Sequence, residues 1–447
     1  MSTMMVSGER AGWREHPRGL AYLAFTEAWE RFSYYGMSAL LVLYMVDQVL
    51  QPGRADAVLG FGLLRSVLEG ATGPLSPTAM AAQLTGLYSG LVYFTPVLGG
   101  IIADRWIGQR AAVLAGGVLM FLGHVAMTFD ASFLIALLLL ILGSGLLKGN
   151  ISAQVGALYP EGEETNRTRG FAIFSMAINV GAVCGPLLCG WLAQAWSWHA
   201  GFGAAALFMA VGLAIYVAGW NHLPARVERE RTAETGLTAE DRRTVLLLLG
   251  VMAVTCFQSI VFFQGLTVNP LWVQERVDLV MLGFAVPVPW FSSIDALASV
   301  VFVPVIFWLW RLQTGGNGDP ADLSKIAMGA AIFCVANLGL AAADLMAGAD
   351  KVPALWAAVY HTLQGIAFVY YWPTLLAMVS RLAPPSLNST LMGVAFLTLF
   401  LSNIAVGWLG TRYETWGGPA FWAVHGAIAA AGVAAAMVMG RVAARRS

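Results

Sequence analysis

Apolar stretches broken by glycine, proline or clusters of charge run through nearly the whole chain. A helix needs about 20 apolar residues to cross the hydrocarbon core of a bilayer. Twelve stretches reach that length, at 20–50, 80–103, 110–129, 131–157, 169–194, 201–221, 244–267, 288–312, 324–346, 353–381, 387–410 and 418–440. The polar break at 222–243 is too short to hide another pair of spans. It divides the chain into an N-terminal set of six helices, 1–221, a linker, 222–243, and a C-terminal set of six, 244–447. The pattern therefore predicts an all-α integral membrane protein with twelve transmembrane helices.

Lys and Arg accumulate in cytoplasmic loops, and an even number of spans puts both termini on one side. With the termini inside, 18 of the 25 basic residues fall on inner segments and 5 on outer ones. The expectation is a multi-pass protein of the inner, cytoplasmic membrane with both termini cytoplasmic. The N-terminus, with Glu9, Arg10, Arg14, Glu15 and Arg18, lacks the short apolar core and cleavage site of a signal peptide, so the first apolar segment is expected to be retained.

Composition sharpens this picture. Of 447 residues, 58% are hydrophobic and 11% charged, with mean hydropathy +0.70, against roughly a quarter charged in ordinary soluble domains. A formal charge of zero provides no field for a polyanion, which excludes nucleic acid as an expected partner. Cys184, Cys189, Cys256 and Cys334 all sit in apolar runs without metal-ligand spacing and read as buried free thiols. No metal or other cofactor is expected.

The remaining two basic residues, Arg31 and Lys148, lie inside spans. A charge at mid-membrane costs at least about 2.5 to 3.5 kcal/mol, so it is paired, lines water or serves a substrate or proton path. Glu27, Glu30, Arg31, Tyr34 and Ser38 are spaced i, i+3, i+4, i+7 and i+11, which puts them on one helical stripe, with Tyr35 beside it. That stripe faces the bundle interior. A bare Arg31–Glu27 ion pair would satisfy the charges, but the tyrosines favour a wet cavity. Lys148 lies within Gly143-Ser-Gly-Leu-Leu-Lys-Gly-Asn150, whose glycines let neighbouring helices approach, and near mid-span its ammonium needs a carboxylate from protein or ligand. Asn179 and Asp295 are the other embedded polar candidates: the amide could simply join helices, and the acid could be a protonated packing residue. Asp104, Arg105 and Arg110, in the glycine-bounded turn Gly100 to Arg110, suit a gating and topological role without ligand contact.

These residues resemble the major facilitator superfamily and, within it, the proton-coupled oligopeptide transporter (POT) family. The Gly100 to Arg110 loop is similar to the superfamily's inner-loop motif. Glu27-Ala-Trp-Glu30-Arg31-Phe32-Ser-Tyr34-Tyr35-Gly36 resembles the family signature ExxERFxYYG at every defined position. The likeness continues through Tyr93-Phe-Thr-Pro96, Lys148-Gly-Asn150, Phe174 to Gly181, Gln264, Glu275-Arg276, Trp290 to Pro304, Arg381 to Pro384 and Met392-Gly393. It implies the major facilitator fold, two six-helix bundles, alternating access, and proton-driven uptake of short peptides or peptide-like molecules by a monomer. Residue by residue, it implies that Arg31 and Lys148 receive a peptide carboxylate and that Tyr34, Tyr35 and Tyr93 line the pocket. Asn179 would meet the peptide backbone or amine, and Glu27 and Glu30 would be proton-linked. The chain departs from the pattern at Ser38 and Phe263, where the family places an arginine and a glutamate, at Phe368, where it places a glutamate, and at Asp295, where it places an asparagine. Asp295 is therefore expected to supply the carboxylate lost at Phe368, for ligand and proton alike.

Phe263, Phe368, Tyr370, Tyr371 and Trp372 crowd the second half, either as packing or as a wall for an aromatic ligand. Proton-driven export of drugs or peptides would use the same architecture, and a peptide-binding receptor that moves nothing would share the motifs. An enzyme is disfavoured: no HExxH, GxSxG or Cys/His cluster occurs, and His16, His124, His199, His222, His361 and His425 are scattered.

Overall fold

The computed structural model describes residues 16–160, 162–225, 237–281, 283–316 and 318–444. Half of the expected linker, with Arg226, Arg229 and Arg231, and the basic residues Arg10, Arg14, Arg445 and Arg446 lie outside them.

The N-terminal helices are α1 (Arg18–Tyr44), α2 (Phe61–Thr72), α3 (Pro77–Ile102), α4 (Gln109–Ala126), α5 (Phe133–Ala157), α6 (Glu164–Ala195) and α7 (Trp198–Ala218). After the linker come α8 (Ala239–Thr267), α9 (Asn269–Arg276), α10 (Trp290–Val301), α11 (Val303–Gln313), α12 (Asp322–Ala347), α13 (Ala354–Leu382), α14 (Asn388–Gly410), α15 (Tyr413–Trp416) and α16 (Gly418–Ala444). Among the described residues ten helices are long and apolar enough to span a bilayer, and α10 and α11 form an eleventh span bent by 48°. The bend follows from Pro304 in the first turn of α11, which cannot donate to the preceding turn, so the chain breaks at Phe302. Helix α1 has 27 residues, enough to cross, although Glu27, Glu30, Arg31 and its tyrosines lower its hydropathy. It completes the twelve.

The short elements lie between spans and escape a search for long apolar runs. Helix α2 is amphipathic and too short to cross. Strand β1 (Val277–Asp278) pairs in parallel with β4 (Val352–Pro353), and β2 (Val280–Met281) forms a hairpin with β3 (Phe284–Ala285).

Helix α1 packs on α6 and α7, and α4 and α3 pack on α5; in the second half α12 packs on α13 and α16, and α8 on α14 and α16. The halves meet through α3 against α14 and α6 against α10. A Cβ on Gly86 would collide with the backbone of Asn403 and Gly407, so α3 and α14 touch main chain to main chain. Five hydrogen bonds between described residues join the halves, all toward the end where α1 finishes. Gln274 Nε2 donates to Asp47 Oδ2 (2.8 Å), Gln194 Nε2 to the Ala285 carbonyl (2.7 Å), Trp290 Nε1 to the Leu187 carbonyl (2.8 Å) and Ser293 Oγ to the Val183 carbonyl (2.8 Å); Ser76 bonds Glu414. That end is sealed.

Of the four cysteines, all free, only Cys189 is fully buried; Cys184 is exposed, which corrects the expectation for it. An apolar stretch in a membrane helix does not imply an interior position, because its outer face meets lipid.

Candidate functional site

A cavity of about 570 Å³ lies between the halves below the seal. Its cationic wall comes from α1 and α5. On α1, Arg31 Nε donates to Glu27 Oε1 at 2.7 Å and lies 2.7 Å from Glu30 Oε2. All three are buried, so one guanidinium stands against two carboxylates in a low-dielectric region. Glu27 and Arg31 line the cavity, whereas Glu30 sits behind them, completely buried. Helix α6 can approach this stripe only because residue 181 is glycine: a Cβ there would strike the Ala28 carbonyl and the Arg31 Cβ. The same close approach sets Asn179 on the cavity wall. Its Nδ2 donates to the Ser175 carbonyl (3.0 Å), which leaves Oδ1 as the acceptor toward the cavity.

Lys148 extends from α5 over aromatic faces, with Nζ 4.1 Å from the Tyr34 ring centre and 5.6 Å from that of Tyr93. The neighbouring glycines divide their work. Gly143 and Gly145 are packed against α4 and α3, and Gly149 faces open space. Tyr34, Tyr35 and Tyr93 all line the cavity, and the Tyr34 and Tyr35 rings meet edge to face at 5.2 Å.

The facing wall comes from α8, α10, α13 and α14 and is largely aromatic: Phe262, Phe263, Phe368, Tyr371, Trp372 and Phe396. Phe262 and Phe368 lie 5.0 Å apart, and Phe263 meets Tyr93 across the cavity at 5.4 Å. Tyr370 faces the other way, against Trp310, so its place in this wall is corrected. Within the wall Asp295 is the one carboxylate; its Oδ1 accepts from the Ala296 amide at 2.7 Å. Gly365 makes room for it, since a Cβ there would collide with the Asp295 carbonyl. Asp295 on α10 thus sits against α13 one turn from Phe368.

All eight residues expected to meet substrate therefore converge on one cavity. Asp104, Arg105 and Arg110 do not line it. Gln109 Nε2 donates to Asp104 Oδ1 (2.7 Å), Arg105 is exposed, and Arg110 donates to the Trp220 carbonyl (3.0 Å) with its guanidinium 4.5 Å from that indole's centre. Sequence reasoning passed over Phe262, Tyr88, Ser89, Ser292 and Phe396, which line the cavity without a charge to single them out. It also placed no weight on Asp344, buried at the end of α12, which pairs with Arg276 (2.7 Å) and accepts from Trp272 Nε1 (3.0 Å). Among the described residues no group of His, Cys, Asp and Glu could hold a metal.

Twelve spans among the described residues, around a cavity between two halves that carries buried charges on one wall, define a multi-pass membrane transporter of the major facilitator fold, not an enzyme. The sequence profile of the POT family matches residues 110–235 and 225–414, and the chain belongs to that family. An uncharacterized transporter of Bacillus subtilis (strain 168) is 29% identical, covering 89% of this chain and 88% of its own. A peptide transporter of Yersinia enterocolitica subsp. palearctica serotype O:3 is 28% identical, with 88% of each covered, and a di-/tripeptide transporter of Lactococcus lactis subsp. cremoris is 28% identical over 85% and 86%. The crystal structure of a peptide transporter of the POT family in complex with sulfate superposes with TM-score 0.84 at 26% identity, covering 97% of this chain and 96% of that one.

Proposed function

We propose that the protein takes up short peptides or peptide-like solutes by alternating access, driven by protons, across the cytoplasmic membrane. The observation that carries this reading is the polarity of the cavity: a cationic wall of Arg31 and Lys148 stands opposite an aromatic wall that contains a single carboxylate, Asp295. Such a cavity suits a zwitterion with an apolar body. Arg31 and Lys148 receive the carboxylate, Tyr34, Tyr35 and Tyr93 flank it, Asn179 accepts from the peptide backbone or amine, and Phe368 lies against the side chains. Glu27, Glu30 and Asp295 are the proton-linked acids.

The two halves, 1–221 and 244–447, are the moving bundles and 222–243 their cytoplasmic link, with Asp104, Arg105 and Arg110 a gating loop. Both termini are cytoplasmic, in keeping with the basic residues on that side, and the unit is a monomer in lipid. Relatives named as peptide transporters support the substrate class. The test is counterflow in proteoliposomes. Labelled dipeptide should exchange into vesicles preloaded with unlabelled dipeptide and accumulate when the exterior is acidified. Binding without exchange would leave a receptor, and exchange without acid-driven accumulation would remove the proton from the reading. Flux measured in intact cells tells import from export.

A further inference from the structure

Between α1 and α3, on the sealed side, α2 is nearly bare of protein. Of its 12 residues only Phe61 is buried, and Leu64 and Leu68 pack partly against the core of the N-terminal half. At about 100° per residue the helix divides into three sectors. Phe61, Leu64 and Leu68 form the sector on the protein. Leu63, Val67 and Ala71 form the next, and all three are exposed, Leu63 at 73% and Val67 at 62%. Gly62, Arg65, Ser66 and Glu69 make up the remainder, with Arg65 Nε donating to Glu69 Oε1 at 3.1 Å, roughly opposite Val67. The apolar arc therefore continues well past the protein before the polar face begins.

Two tethers fix the height of α2. Ahead of it the Leu59 amide donates to the Ala131 carbonyl (3.0 Å), two residues before α5. Helix α5 has 25 residues, about 37 Å of helix against a hydrocarbon core of about 30 Å, so its first turn stands at the edge of the bilayer. Beyond α2 the Leu75 amide donates to Glu69 Oε1 (3.2 Å), and the chain enters α3, another span, at Pro77. Both ends of α2 thus stand at span ends on one side, and the helix lies along the membrane surface. Ile135, Leu138 and Leu142 form an exposed apolar stripe on α5, and Phe129 and Leu59, also exposed, carry apolar surface from that stripe to α2. We propose that α2 is an interfacial helix whose Leu63, Val67 and Ala71 sector inserts into the leaflet on the sealed side, the outer leaflet under the topology proposed above. Protein then covers one sector, lipid the next, and water the sector of Arg65 and Glu69. A helix of about 12 residues is marginal alone in water, and the bilayer supplies the apolar contact that α2 lacks. The partner is the acyl-chain edge of the bilayer: Arg65 is matched by Glu69, so the helix has no basic surplus for anionic headgroups.

The test uses the full chain in phosphatidylcholine nanodiscs, with the four native cysteines replaced and a spin label on one of Gly62→Cys, Leu63→Cys, Ser66→Cys or Val67→Cys. A parent-like circular dichroism spectrum and melting temperature check that each variant is folded. Labels at 63 and 67 should collide several-fold more with oxygen, which concentrates in lipid, than with a water-soluble nickel chelate, and labels at 62 and 66 should show the reverse. Adding anionic phosphatidylglycerol should leave this contrast unchanged. Nickel access at 63 and 67 would put α2 in water, exclusion of both reagents there would put a protein surface on it, and a contrast seen only with the anionic lipid would make headgroup charge the partner. Each of these overturns the proposal. A second measurement leaves the cysteines in place. The parent protein, reconstituted with phosphatidylcholine carrying a diazirine near the head of one acyl chain, should be crosslinked within residues 59–71, and a crosslink map that omits this segment also overturns it.

Discussion

Lys148 holds its ammonium 4.1 Å from the centre of the Tyr34 ring and has no carboxylate within ion-pair distance among the described residues. Arg31, in the same cavity, is already matched by Glu27 and Glu30. The two cations are therefore not equivalent: Lys148 is the one whose charge a ligand carboxylate can complete. A desolvated cation–π contact contributes about 2 kcal/mol, and a charge-assisted hydrogen bond about 1.5 to 3. Lys148→Ala should weaken binding of a dipeptide at least about tenfold, with little further loss when the peptide's carboxyl is amidated. Equal affinity for free and amidated peptides in the parent protein would refute the anchoring role.

Glu27 Oε2 and Glu30 Oε1 are buried without partners among the described residues, so the α1 stripe carries one negative charge more than Arg31 balances. Lys148 is in the same cavity but outside ion-pair distance, so a proton is the compensating charge that can bind these carboxylates directly, and a ligand carboxylate competes for the same guanidinium. The Glu27→Gln, Glu30→Gln double variant should keep dipeptide counterflow and lose acid-driven accumulation. Retained accumulation would assign coupling elsewhere.

The seal depends on Gly86, where α3 and α14 meet backbone to backbone. Gly86→Val would force Asn403 and Gly407 away and favour the state open at that end, in proportion to how differently it fits the two states. A Ser38→Cys reporter on the cavity wall, in a chain with the four native cysteines replaced, should react faster with an impermeant thiol reagent added outside intact cells. Unchanged labelling would mean that the hydrogen bonds near Trp290 hold the seal without this contact.

Hydropathy alone located the spans to within a few residues, because the bilayer imposes one length on every crossing. It could not show the bend at Phe302, since Val303 and Pro304 continue the apolar run and Pro in a first helical turn leaves no trace in hydropathy. Helical spacing likewise put Glu27, Glu30 and Arg31 on one stripe. Spacing reports the face a residue shares, though, and not that Glu27 lines the cavity while Glu30 lies behind it, with Gly212 of α7 packed near its backbone. Phe262 and Phe396 were silent for the same reason: an aromatic residue on a membrane helix reads identically whether it meets lipid, a neighbour or a ligand.

On the proposed reading, Asp295 is the acid through which the second half would take part in coupling. It is the single acid in a wall of aromatic rings, and its neighbour one turn along α13 is Phe368, where the resemblance to the family leads one to expect a carboxylate. An unpaired charge inside a membrane protein costs about 2.5 to 3.5 kcal/mol, so Asp295 either carries a proton or faces an ammonium. On the proposed reading a ligand amine would supply that ammonium, and exchanging one compensation for the other would link a proton to a peptide. Asp295→Asn keeps size and hydrogen bonding and removes both options. Acid-driven uptake should be lost, and the preference for peptides with a free amine over their N-acetylated forms should fall by about tenfold, the worth of one charge-assisted hydrogen bond. Phe368→Glu in the same background, which adds an acid on the facing turn of α13, should restore part of both. If Asp295→Asn retains uptake and amine preference in full, Asp295 is a protonated packing residue, and the coupling acids are those of α1 alone.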